Sequence, residues 1–111
     1  MAKIISSLII ALGSMHVLFA FPLHANTETL WFVGAGLAII LAGLLNFVAL
    51  DRHGSSFTMW VAIVVNATMC ALFFYAVRIL NEPQVYVGVA VFLIATAAFA
   101  GQLVQKKQSR L

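Results

Sequence analysis

The chain has 111 residues, of which 64% are hydrophobic and only 8% are charged, with a formal net charge of +3 and a mean hydropathy of +1.10. This balance excludes an ordinary water-soluble domain, in which about 25% of residues are charged. No segment remains for a separate catalytic or nucleic-acid-binding domain, so the expected partner is the lipid bilayer and no nucleic acid is expected.

Charged residues divide the sequence into four stretches without Asp, Glu, Lys or Arg: 4–27, 29–50, 53–77 and 83–105. Each is longer than the ~20 apolar residues that a helix needs to cross a bilayer. The sequence therefore predicts an all-α, integral membrane, up-down-up-down four-helix bundle, with residues 1–111 as a single transmembrane domain. The predicted helices are at about 4–22, 30–50, 57–79 and 85–104.

The first predicted helix follows Lys3 and ends near Leu23-His24-Ala25, a pattern that is also typical of a cleaved secretory signal. Its apolar run is longer than a usual signal core, and cleavage would leave three helices, so we expect the helix to be retained. It carries His16, the one group within the predicted spans that titrates near neutrality. We expect His16 to meet Thr68, Cys70 or a backbone carbonyl.

The second and third predicted helices each carry one asparagine, Asn46 and Asn66. Polar side chains are expensive to expose to lipid, so these residues and His16 are expected to point into the bundle and are the candidate ligand-binding residues. Interhelical hydrogen bonding is the simpler alternative, and Asn46 and Asn66 are predicted to bond to each other. The small-residue faces predicted for the four helices are Ser6, Gly13, His16 and Ala20; Gly34, Ala38, Ala42 and Asn46; Met59, Ala62, Asn66, Met69, Cys70 and Phe73; and Ala90, Ala97 and Gly101.

Catalytic and metal chemistry have weak support in the sequence. Met15, His16, Met69 and Cys70 are soft ligands at similar predicted depth, but their spacing is not diagnostic of copper or haem. No nucleophile and base pair or carboxylate dyad can be assembled. We therefore assign no catalytic residue, no metal and no cofactor, and the sequence favours a protein that is not an enzyme without excluding one.

Charged residues near the helix ends predict the orientation. Lys3, Arg52, Lys106, Lys107 and Arg110 fall on one side of the predicted bundle, and Arg78 alone falls on the other. Basic residues resist translocation, so the first side should be cytoplasmic. The sequence predicts a multi-pass protein of the cell inner membrane with both termini in the cytoplasm.

A charged cluster is predicted at the opposite, outer surface, formed by His24, Glu28, Arg78 and Glu82. In each half of the chain a basic residue precedes a glutamate by four positions. These residues are expected to form two local pairs or one cluster, serving either as charge compensation for Arg78 or as a gate for a polar headgroup.

The two halves of the sequence align at an offset of 54 residues, which pairs 14–19 with 68–73 and 32–34 with 86–88. The same offset pairs Glu28 with Glu82 and His24 with Arg78. This pattern indicates two parallel helix-hairpin repeats related by an axis along the membrane normal. An ancestral duplication of a packing unit without present function is the alternative.

The length and four-helix layout are superficially similar to small multidrug resistance transporters, but no carboxylate occurs within any predicted span. The stretch from Leu30-Trp31-Phe32-Val33-Gly34-Ala35-Gly36 to Gly43-Leu44-Leu45-Asn46 resembles the group of small, largely uncharacterised bacterial four-helix membrane proteins that includes DoxX-like chains. This resemblance implies a fold and a membrane location, and it transfers no functional residue.

Three functions follow from these expectations. The first is an accessory or structural membrane component that acts by helix packing with itself, as a homo-oligomer, or with a membrane-protein partner. The alternative is a small transporter or lipophilic-ligand-binding protein with an intramembrane site around His16 and Asn66. The third is a membrane enzyme that acts on a lipid-like substrate.

Overall fold

The computed structural model describes residues 1–109, and over that range the chain forms four α-helices. The helices are α1 (Ala2–Leu18), α2 (Thr27–Ala49), α3 (Ser56–Ala76) and α4 (Pro83–Gln108). The predicted all-helical class is confirmed. α2, α3 and α4 are each long and apolar enough to cross a membrane, whereas α1 is a shorter apolar helix. Arg110, part of the predicted basic flank, lies outside the described residues.

The first two helices have different ends from those predicted. α1 ends at Leu18, before the predicted residue 22, because Pro22 lacks a backbone N–H and disfavours a helical conformation in the residue before it. α2 begins at Thr27, before the predicted residue 30. Asn26 caps it, since its Oδ1 accepts a hydrogen bond from Thr29 N at 2.8 Å and so satisfies a free donor of the first turn.

The third helix begins at Ser56 after the capping residue Ser55, whose Oγ accepts a hydrogen bond from Thr58 N at 3.1 Å. It ends at Ala76, before the predicted residue 79. The connectors of the bundle are therefore 19–26, 50–55 and 77–82, all short enough to join antiparallel neighbours.

The fourth helix begins with Pro83 at a position where a missing N–H costs nothing, and it continues to Gln108, beyond the predicted residue 104. Its last turn contains Lys106 and Lys107, which favour helix and complement the negative end of the helix dipole. Lys106 Nζ also donates a hydrogen bond to the carbonyl of Gly54. This contact ties the end of α4 to the connector between α2 and α3.

The helices pack as two hairpins. α1 packs mainly against α2, and α3 against α4, with less extensive contacts between α1 and α4 and between α2 and α3. Glycine permits the close approach within each hairpin: a Cβ at Gly13 would lie 2.9 Å from Gly36 O, and one at Gly88 would lie 2.3 Å from the Phe73 ring. α1 and α3 are diagonal neighbours in this arrangement.

The predicted small-residue faces are partly wrong for α2 and wholly wrong for α4. Gly34 and Ala38 are exposed on α2, where Gly36 and Gly43 pack against α1 instead. On α4 the buried face is Gly88, Val91, Phe92, Ala95, Phe99 and Leu103, while Ala90, Ala97 and Gly101 face outward. Four helices around one core leave a volume that phenylalanine rings fill better than alanines, which explains the orientation of α4.

Both ends of the described chain lie at one end of the bundle, where a buried cluster joins Ala2 with Ala49, Met59, Phe99 and Leu103. We call this part, with connector 50–55, the terminal half. The part that carries connectors 19–26 and 77–82 is called the hairpin half. The fully buried residues of α3 are Met59, Ala62 and Asn66, so α3 is packed tightly only toward the terminal half.

Candidate functional site

Asn46 and Asn66 form a closed pair between α2 and α3. Asn46 Nδ2 donates to Asn66 Oδ1 at 3.2 Å, and Asn66 Nδ2 donates to Asn46 Oδ1 at 2.8 Å and to Ala62 O at 2.8 Å. Both side chains are 0% exposed. The hydrogen bond predicted between them is present, and because their polar atoms are mutually satisfied the pair fastens two helices and offers no free group to a ligand.

A groove of about 640 Å³ separates α2 from α3 on the other side of this pair, in the hairpin half. Its walls are apolar side chains of both helices, with Trp31, Ala35, Met69 and Phe73 among them. Along α2 it runs from Thr27 to Ile39, roughly 18 Å at about 1.5 Å per residue. The volume lies within the range of about 300–1,000 Å³ that is typical of small-molecule sites.

His16 lines this groove from α1. Its ring stacks on Phe32 with centroids 3.8 Å apart and an interplanar angle of 16°, and its Nε2 is buried without a hydrogen-bond partner. The expected bonds to Thr68 and Cys70 are absent, since both of those side chains donate to backbone carbonyls of α3 and α4. The reason is the pairing of helices, because α1 turns His16 toward α2 and lies diagonally across from α3.

The structure therefore separates the three predicted ligand-binding residues. His16 belongs to the groove, and the pair Asn46 and Asn66 belongs to the packed region below it. Met69 shares the groove with His16, while Cys70 turns to α4 and donates to Val89 O at 3.7 Å. Within residues 1–109 there is no group of three His, Cys, Asp or Glu side chains that could hold a metal ion.

Two of the four residues of the predicted outer cluster line the groove. Glu28 and Glu82 both line the groove at its outer end, which we call the mouth, whereas His24 and Arg78 do not line it. Glu82 Oε2 accepts a hydrogen bond from Gln84 Nε2 at 2.5 Å. His24 and Arg78 lie in connectors rather than helices, so a spacing of four residues does not place them beside the glutamates.

Both charged residues that line the mouth are acidic. No Lys or Arg is among the residues that line the groove. Thr27 and Gln84 are the other polar residues there, and Trp31 borders the mouth one turn below Glu28. The arrangement combines an apolar channel with two carboxylates at one end, which suits a molecule with an apolar chain and a polar head.

Sequence reasoning did not identify the groove-lining residues Trp31, Phe32 and Phe73 as parts of a site. Every face of α2 and α3 is apolar, so periodicity gives no signal for which faces meet and which diverge. The pairing of the amide side chains was the one available signal, because it shows where the two helices touch.

Comparison with known proteins adds no assignment. A scan against protein-family models, a search of curated proteins and a search of solved structures each found no match. The resemblance to DoxX-like chains stays a prediction.

Proposed function

We propose that this chain is a multi-pass membrane protein that binds an amphiphilic molecule in the groove between α2 and α3. The observation that carries the proposal is the groove itself, which is apolar along its length and acidic at its mouth. The core of the terminal half is closed by packing and by the Asn46 and Asn66 pair. A second, more open groove of about 680 Å³ lies on the surface at that end, but its lining includes the charged residues Lys3, Asp51 and Arg52. This is the ligand-binding alternative of the sequence analysis, with the site moved from Asn66 to the groove beside His16.

A bilayer is the surrounding that fits the outer surface. Large apolar side chains such as Leu30, Leu41, Phe57 and Phe74 are more than half exposed, and so continuous an apolar surface aggregates in water. α1 is 17 residues long, about 26 Å, and we propose that it crosses with the help of the apolar connector that follows it. The protein then crosses four times.

The proposed orientation places the terminal half in the cytoplasm. Lys3, Arg52, Lys106 and Lys107 belong to that half, and Arg78 belongs to the connector at the other end. The groove then opens toward the outer leaflet of the cell inner membrane. A reporter fused after residue 111 should be active in the cytoplasm, and one inserted in connector 77–82 should be active outside; the opposite pattern would contradict the orientation.

Binding can be tested through Trp31, which lines the groove, against Trp60, which lies in the terminal half beneath Lys107 at 5.7 Å. In a Trp60→Phe variant, a brominated fatty alcohol should quench Trp31 fluorescence with saturation at one molecule per chain. In the matched Trp31→Phe variant the remaining Trp60 should show only weak, linear quenching. Linear quenching in both variants would mean simple partition into the lipid and would contradict the proposal.

A filled groove provides the second control. Ala35 lines the groove wall, so Ala35→Phe should abolish the saturable quenching of Trp31. Ala100→Phe, on an exposed face of α4, adds the same ring elsewhere and should leave the binding unchanged. Saturable binding that survives Ala35→Phe would place the ligand outside the groove.

An accessory role by helix packing is a second candidate, and one observation favours it. Ala90, Ala97 and Gly101 form an outward stripe on α4, and a Cβ at Gly101 would meet nothing within 4 Å. Small residues allow helices of separate chains to approach closely in lipid. In a Cys70→Ala background, Ala97→Cys should form disulfide-linked dimers in native membranes and Leu72→Cys should not; equal cross-linking would remove this candidate.

A further inference from the structure

We infer that the amphiphile carries a cationic head, held at the mouth by Glu28 and Glu82, with its apolar chain extended along the groove toward His16. This inference rests on the proposed function and specifies the ligand class. It follows from three features of the groove, which are the sign of the charged residues at its mouth, its aromatic border and the mainly apolar lining below the mouth.

The first feature is the concentration of negative charge. Two of the three acidic residues of the chain, Glu28 and Glu82, line the same groove, although they belong to different hairpins. No Lys or Arg is among its lining residues. A cationic group that enters the mouth is attracted to each of these carboxylates.

Local helix geometry explains why each carboxylate is tolerated but not why the two share a groove. Glu28 lies in the first turn of α2 and Glu82 is the capping position of α4, where negative charge is favoured by the helix dipole. Those preferences act on each helix independently. Both glutamates line one groove because of how the two hairpins pack, which places the first turn of α2 and the capping position of α4 along the same groove.

The second feature is the aromatic border. Trp31 lies one helical turn from Glu28 and is 71% exposed, so its ring is open to a molecule at the mouth. The face of an indole ring attracts cations, and alkylammonium groups are well suited to aromatic surfaces of this kind. A carboxylate or sulfate head would meet repulsion from the glutamates, and no Lys or Arg lines the groove to offset it.

The third feature, the lining of the groove below its mouth, determines the chemistry of the ligand beyond its head group. Below the mouth the walls are apolar apart from His16, with Ala38, Leu72 and Met69 along them. The length of roughly 18 Å is comparable with half of a hydrocarbon core of about 30 Å. A single alkyl chain can therefore extend through the groove while its head remains at the level of the lipid headgroups.

The experiment uses the Trp60→Phe protein in nanodiscs of uncharged lipid, with three brominated probes of equal chain length. The heads are trimethylammonium, alcohol and sulfate. We expect the ammonium probe to quench Trp31 with about tenfold higher affinity than the alcohol, and the sulfate to bind more weakly than both. The preference for ammonium over alcohol should decrease with added salt.

The double variant Glu28→Gln/Glu82→Gln should reduce the preference for ammonium over alcohol to about onefold. Each single variant should lose part of the preference, which keeps the test valid if the double variant fails to fold. The matched control is Asp51→Asn, since Asp51 is the acidic residue at the opposite end of the bundle and should not change the preference.

The outcomes separate the two proposals. Equal saturable binding of ammonium and alcohol, or tightest binding of the sulfate, would overturn the cationic ligand and leave a general amphiphile site. An ammonium preference that persists in the double variant would also overturn it. No saturable quenching by any probe would overturn the proposed function, and the cationic ligand with it.

Discussion

The terminal half and the hairpin half have similar apolar compositions but opposite packing. In the terminal half, Met59, Phe99 and Leu103 are buried, and the Asn46 and Asn66 pair joins α2 to α3. In the hairpin half the same two helices leave a groove of about 640 Å³. When all the helices of a bundle are apolar, steric fit and a few polar bonds therefore decide where two helices pack closely and where they leave a groove, and hydrophobicity does not.

Positions related by the 54-residue offset show the same contrast. Gly88 packs against the Phe73 ring, whereas nothing lies within 4 Å of a Cβ placed on Gly34. Cys70 faces α4, whereas His16 lines the groove. The two hairpins have different internal contacts at equivalent positions, and the proposed repeat would have diverged most at the groove.

The largest expected effect is on helix pairing. Gly13→Ala places a Cβ 2.9 Å from both Gly36 O and Ile40 N, and because these are backbone atoms the helices must separate. We expect a loss of about 1–3 kcal/mol in the free energy of unfolding, measured by denaturation in mixed micelles. Gly101→Ala has open space around the new Cβ and should be neutral or slightly stabilising. Equal effects of the two substitutions would contradict the packing of α1 on α2.

The amide pair should give the next largest effect. Asn66→Leu leaves the buried side chain of Asn46 without its partner, and we expect a loss of about 1–2 kcal/mol. The double variant Asn46→Leu/Asn66→Leu should recover part of that loss, so a double-mutant cycle should show coupling between the two residues. If the losses in the free energy of unfolding from the two single substitutions simply add, the hydrogen bonds between Asn46 and Asn66 do not stabilise the packing of α2 on α3.

The amide pair and the faces by which the helices pack differ in how well the sequence predicts them. The all-helical class, the connectors and the amide pair follow from charge-free stretches and from the cost of polar groups in lipid. The inward faces of α2 and α4 do not, because small residues occur on several faces and only the bundle decides which are used. Gly36, rather than Gly34, packs against α1. Phe92 of α4 is fully buried in the core cluster that contains Ile9 and Ile39.

The site was predicted only in part for a related reason. His16 is a candidate in sequence and structure alike, but its neighbour in the groove is Phe32, which no polar pattern indicates. The glutamates were expected to form two local pairs with His24 and Arg78 or one cluster with them. Their shared position at the mouth depends on contacts between hairpins, which no local spacing encodes.

A smaller effect is expected at His16, in the hairpin half. His16→Phe preserves the ring stacked on Phe32 and removes the buried Nε2 that has no partner. Stability should stay equal or rise by up to about 1 kcal/mol, because a buried unsatisfied group is lost. His16→Ala, which removes the stacked ring, is the control and should destabilise. A clear loss of stability in His16→Phe would mean that Nε2 contributes to packing after all.

The smallest effect is expected at the edge of the terminal half. Lys107→Gln removes the cation 5.7 Å from the centre of the Trp60 ring, a contact worth at most about 0.5–1 kcal/mol at an exposed site. Thermal unfolding should change little, and ligand quenching of Trp31 should not change. An altered affinity in the groove would show that the two halves are coupled.

The first and last helices of the chain, α1 and α4, differ in length, and this difference bears on how a bilayer would surround the protein. α1 has 17 residues and α4 has 26, which correspond to about 26 Å and about 39 Å. In the proposed membrane location, α1 would cross together with part of connector 19–26, whereas the last turn of α4, with Lys106 and Lys107, would extend into the lipid headgroups. The two ends of the chain would then differ in how much of the helix lies within the hydrocarbon core.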